Sequence, residues 1–131
     1  MDCLVGRTIT GILVESEYQE YITIETDKGP FHFEGDGDCC SVTYIAEIKN
    51  LHYVLCSVVT EVEELPMTEG EGTRQDEDKI YGYKIRAANG KFFMLVFRNS
   101  SNGYYSGSLN LIDNVPDNKK WTRVLKDFEA D

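Results

Sequence analysis

The sequence predicts an α+β fold: a mainly antiparallel, curved β-meander of about six to seven strands, with two short helices. Three observations lead to this prediction. Short runs of β-branched and aromatic residues are separated by compact turn signals, which is typical of hairpins. Two other stretches carry apolar residues at helical spacing. Finally, 41% hydrophobic residues over 131 positions suffice for a packed core and exclude wholesale disorder.

The first three predicted strands lie near the N-terminus. Residues 8–14 are β-branched and apolar and predict the first strand. Residues 21–26 alternate between apolar and polar side chains, and the turn at 27–29 ends in a glycine that tolerates a positive φ. The chain alternates again through 31–33. We therefore expect the second and third strands to form a hairpin.

A helix and a fourth strand are predicted next. Val42, Ile45 and Ile48 recur at about one helical turn, which predicts a short helix over 42–49. Residues 54–62 then alternate between two faces and predict a strand.

Residues 64–78 are the one break in composition. Acidic residues and glycine dominate this stretch, which has almost nothing to bury. It predicts a mobile acidic loop and not a domain boundary, since neither flank is large enough to fold alone. The whole chain, 1–131, is therefore predicted to be a single domain.

A second hairpin is predicted beyond the acidic stretch. Its strands are 80–86 and 92–97, and Asn89-Gly90 between them indicates a type I′ turn. Because the 92–97 strand is apolar on both faces, we expect it to be central in its sheet and covered on both sides.

The C-terminal part is predicted to contain a loop, a strand and a helix. The loop covers 99–107 and the strand 109–112. Four apolar residues are then spaced as on one face of a helix, which predicts a short amphipathic helix: Trp121, Val124, Leu125 and Phe128.

Composition also excludes several classes of function. The net charge is −10, whereas an ordinary nucleic-acid binder needs clustered Lys and Arg to neutralise phosphates. The first residues lack a secretory signal, and no apolar run reaches the ~18 residues of a membrane span. Four cysteines without a C-x-x-C pattern indicate a reduced protein. We expect a cytoplasmic protein that binds neither nucleic acid nor membrane.

Two turn-rich loops, 35–41 and 99–107, stand out from the rest of the chain. Both are dense in residues that build tight turns and present backbone N–H groups. The motifs G-D-C-C-S and N-S-S-N-G-Y-Y-x-G-x-L within them resemble a family of uncharacterised small proteins of bacteriophages and prophages. The similarity extends over roughly residues 5–115 and includes Thr-Glu-Val-Glu-Glu at 60–64. The resemblance implies a phage or mobile-element origin and one compact domain, and it supplies no reaction.

Catalytic and metal-binding roles have thin support in the sequence. Cys39 and Cys40 would gain thiolate character at the N-terminus of the predicted helix, with His32 as a candidate base. Small thiols also simply pack a helix against a sheet. Asp36 and Asp38 offer oxygen ligands, but at a spacing that falls short of a calcium loop, and the Cys and His residues lack zinc spacing. We expect no catalytic residue, metal or cofactor.

Anion binding is the favoured interpretation of the two loops. Their N–H groups, hydroxyls and aromatic rings suit a nucleotide-like ligand, and Arg98 is a ready partner for a phosphate. The expected contacts are Ser41, Arg98, Asn99, Ser100, Ser101, Asn102 and Tyr104. The same side chains also suit a purely architectural role. The sequence thus predicts a non-enzymatic phage accessory protein that binds a small anionic ligand and sequesters a host defence signal.

Two other classes of function stay open at this point. The acidic stretch from 61 to 78 suits a protein inhibitor or DNA mimic that covers a basic surface of a host enzyme. A Cys-dependent enzyme is the third alternative. Exposed strand edges are also compatible with a homo-oligomer.

Overall fold

The computed structural model describes residues 1–37 and 40–130, and within them it shows ten β-strands in two five-stranded sheets. The first sheet contains β1 (Ile9–Glu15), β2 (Tyr21–Thr26), β3 (Gly29–Gly37), β8 (Gly107–Ile112) and β9 (Trp121–Val124), in the order β8-β3-β2-β1-β9. The second contains β4 (Val42–Lys49), β5 (Val59–Glu71), β6 (Glu77–Ala87), β7 (Phe92–Ser101) and β10 (Phe128–Glu129), in the order β10-β4-β7-β6-β5. All pairings between these strands are antiparallel.

The predicted α+β class is therefore wrong, and the described chain is nearly all β. Its helical segments are two 3-10 turns, Asp2–Leu4 and Leu51–Tyr53. No helix of the described residues is long and apolar enough to cross a membrane.

The helix predicted over 42–49 is strand β4, and a β-bulge explains the misleading spacing. Ile45 pairs with Phe97 and Glu47 with Val96, which leaves Ala46 as an extra residue. A bulge shifts the alternation of side chains by one position. Ile45 and Ile48 thus both face the core, fully buried, although they are three residues apart. That spacing imitates a helical turn.

The predicted C-terminal helix is also wrong. Trp121 and Val124 lie in β9, which pairs with β1 in the first sheet. Phe128 lies in β10, which pairs with β4 in the second sheet. Leu125, between the two strands, is 73% exposed. The apolar spacing arises because the chain passes from one sheet to the other.

Both predicted hairpins are present, and β7 is the central strand of its sheet. The type I′ turn predicted at Asn89-Gly90 is not formed. Such a turn needs a positive φ at both residues, and only Gly90 has one, at 82°. The Ala87 N–H donates to Lys91 O (2.9 Å), and the Gly90 N–H donates to Ala87 O (3.0 Å). This is a three-residue hairpin loop with glycine in the left-handed position.

The acidic stretch 64–78 lies mostly in paired strands. Residues 64–71 belong to β5 and 77–78 to β6, and the ladder between them runs from Val59↔Ala87 to Glu71↔Glu77. Only residues 72–76, which we call the 72–76 turn, connect the two strands. The mobility of this stretch and the single-domain organisation stay predictions.

One hydrophobic core lies between the two sheets. Apolar side chains are buried on both sides of it, and each large one contributes about 1.5–3 kcal/mol. The first sheet provides Ile9, Ile12, Val14, Ile22, Ile24, Phe33 and Val124, and the second provides Ile45, Ile48, Val59, Ile85, Ala87, Phe93, Leu95 and Phe97. The β1–β2 turn also joins the sheets directly, because the Ile45 N–H donates to Gln19 O at 2.8 Å.

Candidate functional site

The structure brings the two predicted loops together at one end of the sheets. The end of β3 pairs with the start of β8, so that Gly37 lies opposite Gly107. The start of β4 pairs with the end of β7, so that Thr43 lies opposite Asn99. Segments that are more than fifty residues apart in sequence therefore share one junction. Asp38 and Cys39, in the middle of the first loop, lie outside the described residues.

The glycines of this junction serve close packing. A Cβ on Gly35 would overlap the carbonyl oxygen of Thr43, and one on Gly107 would overlap Thr43 Oγ1. A Cβ on Gly37 would lie 2.6 Å from Ser41 Oγ and 2.8 Å from Asn99 Nδ2. All three positions therefore have no room for a side chain. This supports the architectural interpretation of the two motifs.

Asn99 is fully buried in the same junction. Its Nδ2 donates to Thr43 Oγ1 (2.9 Å), and that hydroxyl donates to Asp36 O (3.0 Å). Asn99 Oδ1 has no hydrogen-bond partner among the described residues. A buried acceptor without a partner costs about 1–3 kcal/mol, and a water or the N–H of another group would remove that cost.

The remaining predicted contacts are dispersed around the junction. Ser101 Oγ accepts from Gly103 N–H (3.0 Å), and Asn102 Oδ1 accepts from Tyr104 N–H (3.3 Å), so both side chains shape the loop. Tyr104 is 86% exposed, and Ser41 is half-buried beside Gly37. None of four surface clefts in the described part of the chain is lined by residues of both loops.

Arg98 and Ser100 project from the opposite face of the second sheet. They alternate along β7 with Phe97 and Asn99, whose side chains face the other way. Asp78 lies across from Ser100 in the β6–β7 ladder and therefore shares their face. The 72–76 turn folds over this cluster, because Ser100 Oγ accepts from the N–H groups of Arg74 (3.2 Å) and Gln75 (2.8 Å).

Asp78 is the centre of this cluster, with a side chain that is 0% exposed. Its carboxylate accepts from Thr73 N–H (3.1 Å), Thr73 Oγ1 (2.6 Å) and Arg98 Nη1 (3.1 Å). Burial alone would raise the pKa of Asp78, but hydrogen bonds from Ser100, Thr73 and Arg98 outweigh it and hold that pKa below its ordinary value. Asp78 is therefore a buried anion that fixes its neighbours.

Arg98 is fixed by only one of its nitrogens. Its Nη1 donates to Asp78 Oδ2, and the guanidinium forms no other hydrogen bond with the described residues. The side chain remains 28% exposed. A guanidinium has five N–H donors. Asp78 sets the orientation of the group and uses one of its nitrogens, so most of the donors are left for a ligand.

The exposed side of Arg98 faces a cleft of about 360 Å³. The lining comes from β4, β7, β10 and the 72–76 turn: Tyr44, Ala46, Glu47, Thr73, Val96, Arg98, Glu129 and Ala130. Tyr44 and Thr73 are joined by a hydrogen bond between their hydroxyls. Sequence reasoning selected Arg98 and missed the others, because Thr73 fell in a predicted loop and Glu129 followed a predicted helix.

Arg74 holds the 72–76 turn beside the cleft. Its guanidinium stacks 3.7 Å above the Tyr44 ring and donates to Tyr18 O (2.8 Å) and Gln19 Oε1 (2.6 Å). The last two acceptors lie in the β1–β2 turn, so Arg74 links the two sheets. A cation over an aromatic ring contributes about 0.5–2 kcal/mol.

The proposed Cys–His chemistry loses its main physical support. Cys40 is exposed and precedes a strand, so no helix N-terminus lies beside it. His32 Nδ1 is hydrogen-bonded to Thr23 Oγ1 at 2.8 Å. Among the described residues, no group of three or more His, Cys, Asp and Glu side chains is placed to hold a metal ion.

These features define an antiparallel two-sheet β protein with a polar cleft on the outer face of one sheet. A profile of the DUF7448 family, a domain of unknown function, matches residues 2–111, and the chain belongs to that family. It is also similar to an uncharacterised protein of Acanthamoeba polyphaga mimivirus, with 26% identity over 111 residues, or 82% of this chain and 88% of that protein. No solved structure matches the chain. The relative is viral, whereas the phage origin stays a prediction.

Proposed function

We propose that the protein is a non-enzymatic binding protein whose ligand is a small nucleotide-like anion held at Arg98. The observation that carries the proposal is the Asp78–Arg98 pair: a buried carboxylate orients the guanidinium of Arg98, and Arg98 lines a cleft. Pre-oriented guanidinium groups bind phosphates and carboxylates with little loss of side-chain freedom. The cleft differs from the predicted inter-loop site and shares Arg98 with it.

The cleft favours a ligand with one anionic group and several hydroxyl or amino groups. Glu47 and Glu129 also line it, and they would repel a polyanion. Carboxylates accept hydrogen bonds from hydroxyl and amino groups, which a nucleoside monophosphate carries on its sugar and base. A volume of about 360 Å³ lies within the ~300–1,000 Å³ range of small-molecule sites.

A role in sequestering a host signal fits this chemistry. A binding protein without catalytic groups lowers the free concentration of its ligand by mass action. The viral relative supports the idea that such a ligand comes from a host cell. We therefore retain the sequestration of a host defence nucleotide as the biological part of the proposal.

Native mass spectrometry tests the binding step. The wild-type protein is incubated with nucleoside 5′-monophosphates, ribose 5-phosphate and inorganic phosphate, and a one-to-one adduct with a nucleotide is expected. The double variant D78N/R98A should lose the adduct while remaining folded, since it removes both charges together. Arg123→Ala is the matched control, because Arg123 forms an exposed ion pair with Glu25 (2.7 Å) in the other sheet. Equal adducts in all three proteins would contradict the proposal.

The acidic-inhibitor alternative has one specific observation in its favour. Strand β5 is a 13-residue edge strand that exposes five glutamates: Glu61, Glu63, Glu64, Glu69 and Glu71. Such a surface suits a basic partner, and contact through it should weaken between about 50 and 300 mM salt. Replacing Glu69, Glu71, Asp76 and Glu77 by their amides should abolish capture of a basic host protein. Unchanged capture would exclude this alternative.

A further inference from the structure

The outer edge of β8 differs from the other three sheet edges of the described chain. Strand edges are usually blunted by charge, proline or shortness, because their free N–H and C=O groups recruit other strands. Edge strand β5 has its glutamates and Pro66, β9 has four residues including Arg123, and β10 has only two residues. The six residues of β8, Gly-Ser-Leu-Asn-Leu-Ile, include neither a charge nor a proline.

The backbone groups that face this edge can be identified. The Gly35 N–H donates to Glu20 O (2.7 Å), on the side of β2, so Gly35 and its partner Leu109 do not exchange hydrogen bonds. The Gly107 N–H likewise donates away from β3, to the Tyr81 hydroxyl (3.3 Å). Because N–H directions alternate along a strand, Leu109 and Leu111 point their N–H and C=O groups outward.

The side chain of Leu111 has no further strand beside it, because β8 is the edge strand. Leu111 lies directly opposite Phe33 and on the same face of the sheet. Phe33 is 1% exposed, whereas Leu111 is 56% exposed, since no strand lies beyond β8. An adjoining strand would satisfy the outward backbone groups and cover this leucine together.

We propose that β8 pairs with β8 of a second copy of this chain across a twofold axis. An antiparallel register centred on Asn110 places each Leu109 opposite the Leu111 of the other copy. These are the residues with outward N–H and C=O groups, so four backbone hydrogen bonds form in this register. The leucine side chains cover one another on one face. A twofold contact needs such a self-complementary surface.

Charge explains why two copies would meet at β8 and not at β5, and how the contact responds to salt. Two chains of net charge −10 repel one another, and contact through the glutamates of β5 would increase that repulsion. Strand β8 brings no charged residue into the contact. Added salt screens the overall repulsion, so the dimer should strengthen as ionic strength rises.

Analytical ultracentrifugation over a wide concentration range, at low and high salt, tests the proposal. Wild type is expected to pass from monomer to dimer, at lower concentration when salt is high. Leu111→Lys should raise the dissociation constant at least about tenfold, because it places a desolvated charge in the contact. Leu125→Lys is the matched control, since Leu125 is also exposed but lies outside β8. A monomer under every condition, or equal dissociation constants for the two variants, overturns the proposal.

Proline substitution separates edge pairing from a general hydrophobic contact. Leu111→Pro removes an N–H that faces outward, so the monomer should stay folded while the dimer is lost. In wild type, the Leu109 and Leu111 amides should exchange hydrogen rapidly when dilute and slowly when concentrated. The Asn110 amide, which faces β3, should be protected at both concentrations. A dimer that survives Leu111→Pro contradicts pairing through β8.

Discussion

Asp78 is a buried negative charge whose partners come from two separate places in the sequence. Thr73 precedes it in the 72–76 turn, and Arg98 and Ser100 lie in the neighbouring strand. Removing one member of a buried ion pair leaves the other charge uncompensated, and this costs more than the pair itself contributes. The residue-scale predictions follow from this asymmetry.

Arg98→Ala should lower the free energy of unfolding by about 3 kcal/mol, because it leaves Asp78 buried without its cation. Asp78→Asn should also be destabilising, because the NH₂ group of the amide would face the donors of Thr73 and Arg98 that now bind the carboxylate. The double variant D78N/R98A should lose less stability than the sum of the losses in the two single variants, by about 1 kcal/mol or more. Urea unfolding of the four proteins measures this coupling. Strict additivity would show that the two side chains do not act as a pair.

Acid should remove the contribution of Asp78. Its pKa is lowered in the folded state, so the stabilisation is present above the unfolded-state pKa of about 3.9 and is lost as pH falls through the folded-state value. The stability difference between wild type and Asp78→Asn should therefore stay constant above about pH 5 and shrink below about pH 4. Urea titrations from neutral to acidic pH give this difference. A stability difference that grows as the pH falls would contradict a lowered pKa for Asp78.

At the scale of elements, the sequence predicted both hairpins and also the strands β1, β8 and the start of β5, whereas it missed β4, β9 and β10. Local signals decide a hairpin, and residues 21–33 and 80–97 contain both alternating faces and a turn. The bulge at Ala46 broke the alternation of β4. The 121–128 stretch divides between two sheets, and nothing in its spacing indicates that crossing. In the candidate site, the sequence predicted Arg98 but not its partner Asp78, because the register of β6 against β7 brings the two residues together.

The close approach of β3 to Thr43 predicts a specific sensitivity at Gly35. Gly35→Ala should destabilise the protein by about 1–3 kcal/mol, because the new methyl group meets a backbone carbonyl that has little freedom to move. Gly70→Ala is the matched control: its Cβ would lie 3.1 Å from Ile80 Cδ1, the flexible end of a side chain. Thermal unfolding compares the two. Equal shifts would mean that the junction tolerates a side chain.

Arg74 should determine how firmly the 72–76 turn is held. Arg74→Ala removes the contacts to Tyr18, Gln19 and the Tyr44 ring. Amide hydrogen exchange at residues 73–76 should become roughly five- to thirty-fold faster, the equivalent of about 1–2 kcal/mol, without a change in the core strands. Arg74→Lys should restore only part of the protection, because an ammonium lacks the planar stacking of a guanidinium. Full protection in Arg74→Ala would exclude this role.

At the scale of the whole molecule, three surfaces of different charge lie at different places on the fold. The acidic edge of β5 lies at one side of the second sheet, the uncharged edge of β8 at one side of the first, and the Arg98 cleft between β4 and β7 on the outer face. Net charge alone indicated none of these positions, since −10 describes only the sum. The proposed ligand site, the proposed dimer contact and the acidic edge thus lie on separate surfaces of the fold.

The measurement that tests the central claim most directly is a two-dimensional amide NMR titration of the wild-type protein with a nucleoside 5′-monophosphate. Binding in the cleft should shift the amide signals of Tyr44, Thr73, Val96 and Arg98, while those of residues 102–106 stay in place. Saturable shifts confined to the cleft are the predicted result. An absence of saturable shifts, or shifts centred on residues 102–106, would contradict the assignment of the ligand to Arg98 and its cleft.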